Sequence, residues 1–211
     1  MVSFDLEGTL VTPDFSQAVW HDSIPFLYAR KNGIGFEMAQ EIVRKVYDEV
    51  GDQRREWYDI KYWFERFHLG DYHHVMEINS HRQSCYPEVV EVLSSLGKVY
   101  KLVIATGSAR EFLPFLLDGI NGYFTHVFSS ISDYGQVKNP DFYLRMCEEL
   151  GITPQEMVHI GDSWQYDFLA ANEAGIEAFY LNREQLNRER NESDCNSLAS
   201  LEELRVRLLG D

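Results

Sequence analysis

Apolar positions along the chain keep two different rhythms. Between residues 15 and 78 they recur at helical spacing. Residues 15–31 carry Ala18, Phe26, Leu27 and Ala29 and stop at Asn32-Gly33, and residues 36–50 carry Met38, Ile42, Val43, Val46 and Val50. Residues 57–67 are dense in aromatic positions, with Trp57, Tyr62, Trp63, Phe64 and Phe67, and the pattern stops near Gly70. A short fourth helix is predicted over residues 72–78. No stretch from 14 to 80 reads as a strand, so this part is expected to be an all-helical block.

Outside the block the rhythm changes. A short apolar run opens the chain, and others follow at Leu102-Val103-Ile104-Ala105, at His126-Val127-Phe128, and over residues 157–160 and 177–180. Helical patterns separate them, over residues 87–96, 110–117, 140–150 and 165–174. Alternating strands and helices predict a parallel sheet with right-handed crossovers. Residues 182–196 are polar and poorly determined by pattern, and a terminal helix is expected over 200–209, N-capped by Ser200. The expected organisation is an α/β core, residues 1–13 and 81–211, interrupted by a helical insert, residues 14–80. The first strand must rejoin the others in one sheet, which puts the insert above its carboxyl end. Ligands of open α/β sheets bind at that end, so the insert is positioned as a lid.

Composition narrows the partners. With 211 residues, 45% of them hydrophobic, the chain has material for a sizeable core. Its formal net charge of -15 disfavours a nucleic-acid backbone or an anionic membrane surface, because both need clustered Lys and Arg. A phosphate would have to be met in a local pocket that overrides the global field, for example beside a divalent cation. The three cysteines, Cys85, Cys147 and Cys195, are widely spaced with no C-x-x-C pair, which fits a reducing compartment. No membrane-spanning run and no leader is apparent, so a soluble cytoplasmic protein is expected.

The candidate chemistry sits where apolar runs end. Asp5 and Glu7 close the first run and, two apart on an extended segment, point the same way. Gly8 then allows a tight turn. Thr106-Gly107-Ser108 follows the second run, Lys138 precedes Pro140, and Gly161-Asp162-Ser163 with Asp167 follows a fourth. Singly, each has an ordinary explanation as a helix cap, a turn or a solvated lysine. Ordinary explanations do not account for all four in this order at one edge of one sheet.

That set resembles the haloacid dehalogenase-like superfamily of aspartate-nucleophile hydrolases. The likeness rests on Asp5-Leu6-Glu7-Gly8-Thr9, on Thr106, on Lys138, and on Gly161-Asp162-Ser163 with Asp167. Ala171-Asn172-Glu173-Ala174-Gly175-Ile176 and the position of the helical insert, like the family's cap, extend it. The resemblance implies a three-layer, Rossmann-like α/β core with a small helical cap. It also implies a Mg²⁺-dependent phosphatase acting on a small phosphorylated metabolite, as a monomer or homodimer. Asp5 would be the nucleophile forming an aspartyl-phosphate, and Glu7 the general acid and base. Thr106, Gly107 and Lys138 would bind the phosphoryl group. Asp5, the Glu7 backbone carbonyl, Asp162 and Asp167 would hold Mg²⁺.

Two positions depart from the common pattern. Glu7 stands where the usual phosphatase has Asp, as in the enolase-phosphatase branch, and it argues against dehalogenation because the dehalogenase branch lacks an acid there. Lys138-Asn139-Pro140-Asp141 replaces Lys-Pro-Asp-Pro. A phosphoglucomutase-like phosphotransferase, an enolase-phosphatase-like enzyme and a non-catalytic binding module remain open alternatives. Within the insert, His21, Arg54, Arg55, Lys61, His73 and His74 are candidate substrate contacts, while the aromatic run 57–67 reads as the insert's own core. His159 and Trp164 read as packing residues.

Overall fold

The computed structural model describes residues 1–183 and 196–210. Its strands are β1 (Val2–Phe4), β2 (Leu102–Thr106), β3 (Phe124–Ser129), β4 (Val158–Gly161), β5 (Glu177–Leu181) and β6 (Ser197–Leu198). They form one parallel sheet in the order β3-β2-β1-β4-β5-β6. β1 is therefore central although it comes first in the chain. Phe4 pairs with Ile104 on one side and Ile160 on the other. The strands read as unbroken apolar runs because both faces of the sheet are covered, as parallel sheets require. One face packs Phe4 and Ile104 against Leu93, Leu96 and Leu204. The other packs Val103 and Ala105 against Phe142, Tyr143, Met146 and Ala171.

Five helices precede the second strand's crossover: α1 (Asp14–Gln17), α2 (Ile24–Asn32), α3 (Phe36–Val50), α4 (Ile60–Phe67) and α5 (His73–Asn79). α3 buries Ala39, Val43 and Tyr47 at helical spacing, and α4 buries Ile60, Trp63, Phe64 and Phe67. Asp59 caps α4 by accepting the Lys61 N–H at 2.9 Å. These side chains continue the apolar cluster of the first sheet face without a break. The remaining helices are α6 (Val89–Leu96), α7 (Leu113–Leu116), α8 (Ser130–Tyr134), α9 (Pro140–Leu150), α10 (Ala170–Glu173) and α11 (Leu201–Leu209).

Three expectations change. The stretches predicted as single helices over 15–31 and 165–174 are each interrupted by a wide π-type turn, Ala18–Ser23 and Trp164–Leu169. Such turns re-aim side chains and are frequent at functional sites. The helix predicted over 110–117 shrinks to α7, because Arg110 is tied to α8 instead. Its N–H donates to Ser132 Oγ at 2.9 Å and its guanidinium pairs with Asp133. Ser200 occupies the N-cap position of α11, but its side chain makes no capping hydrogen bond. Most of the polar stretch 182–196, with Cys195, lies outside the described residues.

Candidate active site

The site begins with how the chain leaves β1. The Asp5 N–H still donates to Ile160 O at 2.9 Å, so the strand pairing carries the nucleophile candidate one residue past the last apolar position. The chain then turns back, with Gly8 N–H donating to Val11 O at 2.8 Å. Gly8 has φ of 77°, and a Cβ there would collide with the Asp162 carboxylate. Glycine is needed both for the conformation and for that approach. Gly161 does the same service on the neighbouring strand, since a Cβ there would collide with Asp167. Two glycines thus let carboxylates from the β4 end close over the β1 end.

Lys138 is the hub. It is buried, and its Nζ donates to Asp5 Oδ1 at 2.7 Å and to Asp167 Oδ1. Asp167, fully buried, also accepts the Ser163 N–H at 2.9 Å and faces His159 Nε2 at 3.2 Å. His159 is held in turn by Ser3 and by the Tyr143 hydroxyl. Burial alone would pull the Lys138 ammonium down, but the two carboxylates outweigh it and hold the amine charged. Burial raises Asp167, yet Lys138 and His159 bring it below the usual carboxylate range. Burial depresses His159 despite its bond to Asp167, so the imidazole is neutral.

The other carboxyls move up. Burial pushes Asp5 well above its ordinary value, with Lys138 opposing and Asp167 and Asp162 adding to the shift. Asp162 is pushed up to about 6, first by its protein surroundings and then by Asp167. Its side chain is nevertheless open to the cavity, so solvent tempers that shift. Oxygen atoms of Asp5, Asp162 and Asp167 lie within 4.8 Å of one another. Three hard oxygen donors at that spacing fit a hard divalent cation such as Mg²⁺. The Glu7 side chain is outside this group. It is raised by burial, with Ser108 opposing by donating its hydroxyl to Glu7 Oε2 at 2.6 Å. Ser16 Oγ approaches the same carboxyl but makes no hydrogen bond of ordinary geometry.

Asp5, Glu7, Thr106, Gly107, Lys138, Asp162 and Asp167 all line one cavity of about 200 Å³. Sequence reasoning missed other members: Ser108, Ser163, Tyr58 and Tyr166 line it too. Ser108 stood two residues from Thr106, where a hydroxyl in a motif loop was a visible signal. Tyr58 had none, because it sits on a short 3₁₀ turn, Arg55–Tyr58, whose place over the sheet is a tertiary fact. His159 is a core histidine as expected, but it braces Asp167, which its apolar neighbours gave no hint of.

Of the insert's candidates, His21 lines the cavity that shares Glu7 and Tyr58 with the site, and Lys61 lines one that shares Ile131. Arg54 pairs with Glu56, Lys61 with Glu111, and His73 with Asp71 at 2.5 Å. Arg55 and His74 line none of these cavities. Trp164 is 51% exposed, stacked on Phe168, and walls nothing.

A model of the haloacid dehalogenase-like hydrolases matches residues 1–175. The chain belongs to that family. It is a hydrolase. A phosphoglycolate phosphatase of Vibrio vulnificus is 30% identical over 203 residues, covering 86% of this chain and 82% of that protein. The crystal structure of a HAD phosphatase from Thermococcus onnurineus superposes with a TM-score of 0.84 at 28% identity, over 99% of this chain and 97% of that one. The L-2-haloacid dehalogenase of Xanthobacter autotrophicus shares the fold, with a TM-score of 0.64 at 21% identity over 99% and 98% of the two chains. Among the described residues, no helix is long and apolar enough to cross a membrane.

Proposed function

We propose that this hydrolase is a Mg²⁺-dependent phosphatase for a small phosphate monoester, working through a phosphorylated Asp5. The observation that carries the reading is the Lys138 bridge between Asp5 and Asp167, with Asp162 beside it and Glu7 held separately by Ser108. Full-length similarity to phosphatases supports it.

A carboxylate Oδ of Asp5 attacks phosphorus in line, and the bond from phosphorus to the ester oxygen breaks. Glu7 gives its proton to that oxygen, and the alcohol leaves. Water then attacks phosphorus, Glu7 takes its proton, and the acyl-phosphate bond opens to free phosphate and Asp5. Burial raises Glu7, which suits a group that must first donate. Lys138 keeps Asp5 oriented and offers its charge to the phosphoryl oxygens, and Thr106 and Gly107 line the same space, with Thr106 Oγ1 held by the Ser108 N–H at 3.1 Å. Asp5, Asp162 and the Glu7 carbonyl would hold Mg²⁺, with Asp167 beside them fixing Lys138. The ion would supply charge to balance the carboxylates facing a phosphate. Residues 14–80 serve as the cap over this site.

The test is hydrolysis of an aryl phosphate with Mg²⁺ or EDTA, for wild type and Asp5→Asn. Turnover should require Mg²⁺, and Asp5→Asn should lower kcat by at least about 10³-fold. Metal-independent turnover, or an active Asp5→Asn enzyme, overturns the mechanism.

A further inference from the structure

Behind Glu7, on the side of the helical block, lies a second cavity of about 240 Å³. Glu7 and Tyr58 line both cavities, so the second lies directly beside the residue proposed to protonate the leaving oxygen. Its walls are Trp20, Tyr47, Trp57 and Tyr58. They are fixed in place. The Tyr47 ring meets Trp20 and Trp57 edge-on at 6.4 and 6.0 Å, its hydroxyl donates to Trp20 O at 3.2 Å, and Trp20 stacks on Phe112 at 5.3 Å. Ser16, 6% exposed, lines the cavity with its hydroxyl beside the Glu7 carboxyl, outside ordinary hydrogen-bond geometry.

Among the described residues, no lysine or arginine lines this space. Its titratable groups are Glu7, Tyr47, Tyr58 and the exposed His21. A leaving group bearing a carboxylate or second phosphate would lose its hydration there without a compensating cation, which disfavours an anion. Aromatic walls instead accept another ring in offset or edge-on contact. A cavity of about 150 Å³ already holds a benzene ring, so 240 Å³ holds one ring with a linker and a polar substituent for Ser16.

Building on the phosphatase reading above, we infer that the substrate is a phosphate monoester of a neutral alcohol carrying a single aromatic or heteroaromatic ring. This departs from phosphoglycolate, the substrate in the name of the Vibrio vulnificus relative.

The experiment measures kcat/KM with Mg²⁺ for benzyl phosphate, ethyl phosphate and 2-phosphoglycolate. Benzyl phosphate should exceed ethyl phosphate by at least about tenfold, and 2-phosphoglycolate should be the poorest. Trp57→Ala should collapse the benzyl-to-ethyl ratio, and Trp57→Phe should retain it. Gln17→Arg, which adds a cation at an exposed position on the cavity wall, should raise 2-phosphoglycolate relative to benzyl phosphate. A wild-type preference for 2-phosphoglycolate or ethyl phosphate, or a ratio indifferent to Trp57→Ala, overturns the inference and leaves the phosphatase reading standing. Hydrolysis of none of the three overturns the phosphatase reading, and the inference with it.

Discussion

The cavity at the strand ends and the cavity behind it share Glu7 and Tyr58 but are built on different terms. The first is a network of charge. Lys138 holds two carboxylates, Asp167 is satisfied from three sides, and Ser108 occupies Glu7. The second is walled mainly by aromatic side chains, with the Ser16 hydroxyl beside Glu7. Charged groups at buried strand ends must be paired, or they destabilise the fold. Aromatic walls carry no such requirement and can change without threatening the sheet. The contrast separates a reaction centre held by the fold from a recognition surface contributed by the helical block.

Substitutions that act on one cavity and not the other sharpen this contrast. The largest expected effect is from Glu7→Gln, which keeps the Ser108 contact within reach but removes the proton. It should lower kcat by about 10²–10⁴-fold for aromatic and aliphatic monoesters alike, read by steady-state rates together with trapping of the phospho-enzyme. A loss confined to the aromatic ester would reassign Glu7 to recognition. Gly8→Ala comes next. At φ of 77° a side chain costs about 1–2 kcal/mol, and its Cβ would displace Asp162. Mg²⁺ affinity by calorimetry should fall about 10–100-fold, while the benzyl-to-ethyl ratio stays put.

The smallest effect is the pH dependence of the metal-free protein. Asp162, raised to about 6, binds its proton more tightly folded than unfolded, and Asp5 and Glu7 are shifted the same way. Stability should therefore fall as pH rises from about 4 through about 6. Asp167, shifted the opposite way, acts below that window. Mg²⁺ favours the charged carboxylates, so its gain in Tm over EDTA should be larger at pH 7 than at pH 5. An equal gain at both would place the ion away from these groups.

Much of the reaction centre was readable in the chain. Asp5, Thr106 and Asp162 each end or follow an apolar run, and strand ends in a parallel sheet share one edge, so order along the chain becomes proximity in space, while Lys138 was marked by its place just before Pro140. The reading failed where position depends on packing between distant segments. Basic residues of the insert looked like substrate contacts, but Arg54 and Lys61 found acidic partners on the surface. Trp57 packs against the core as expected, and only the fold shows that it also lines a cavity.

Periodicity and motif order by themselves determined the parallel α/β core, the helical insert and the seven residues that meet at the strand ends. These follow from local rules, the alternation of strands and the pairing demanded of buried charge. Only the tertiary structure decided that Ser108 holds Glu7, that His159 braces Asp167, and that an aromatic cavity, with no lysine or arginine among its described residues, lies beside Glu7. Each joins segments from 8 to more than 100 residues apart, and no local pattern encodes which of many apolar or polar side chains will face which.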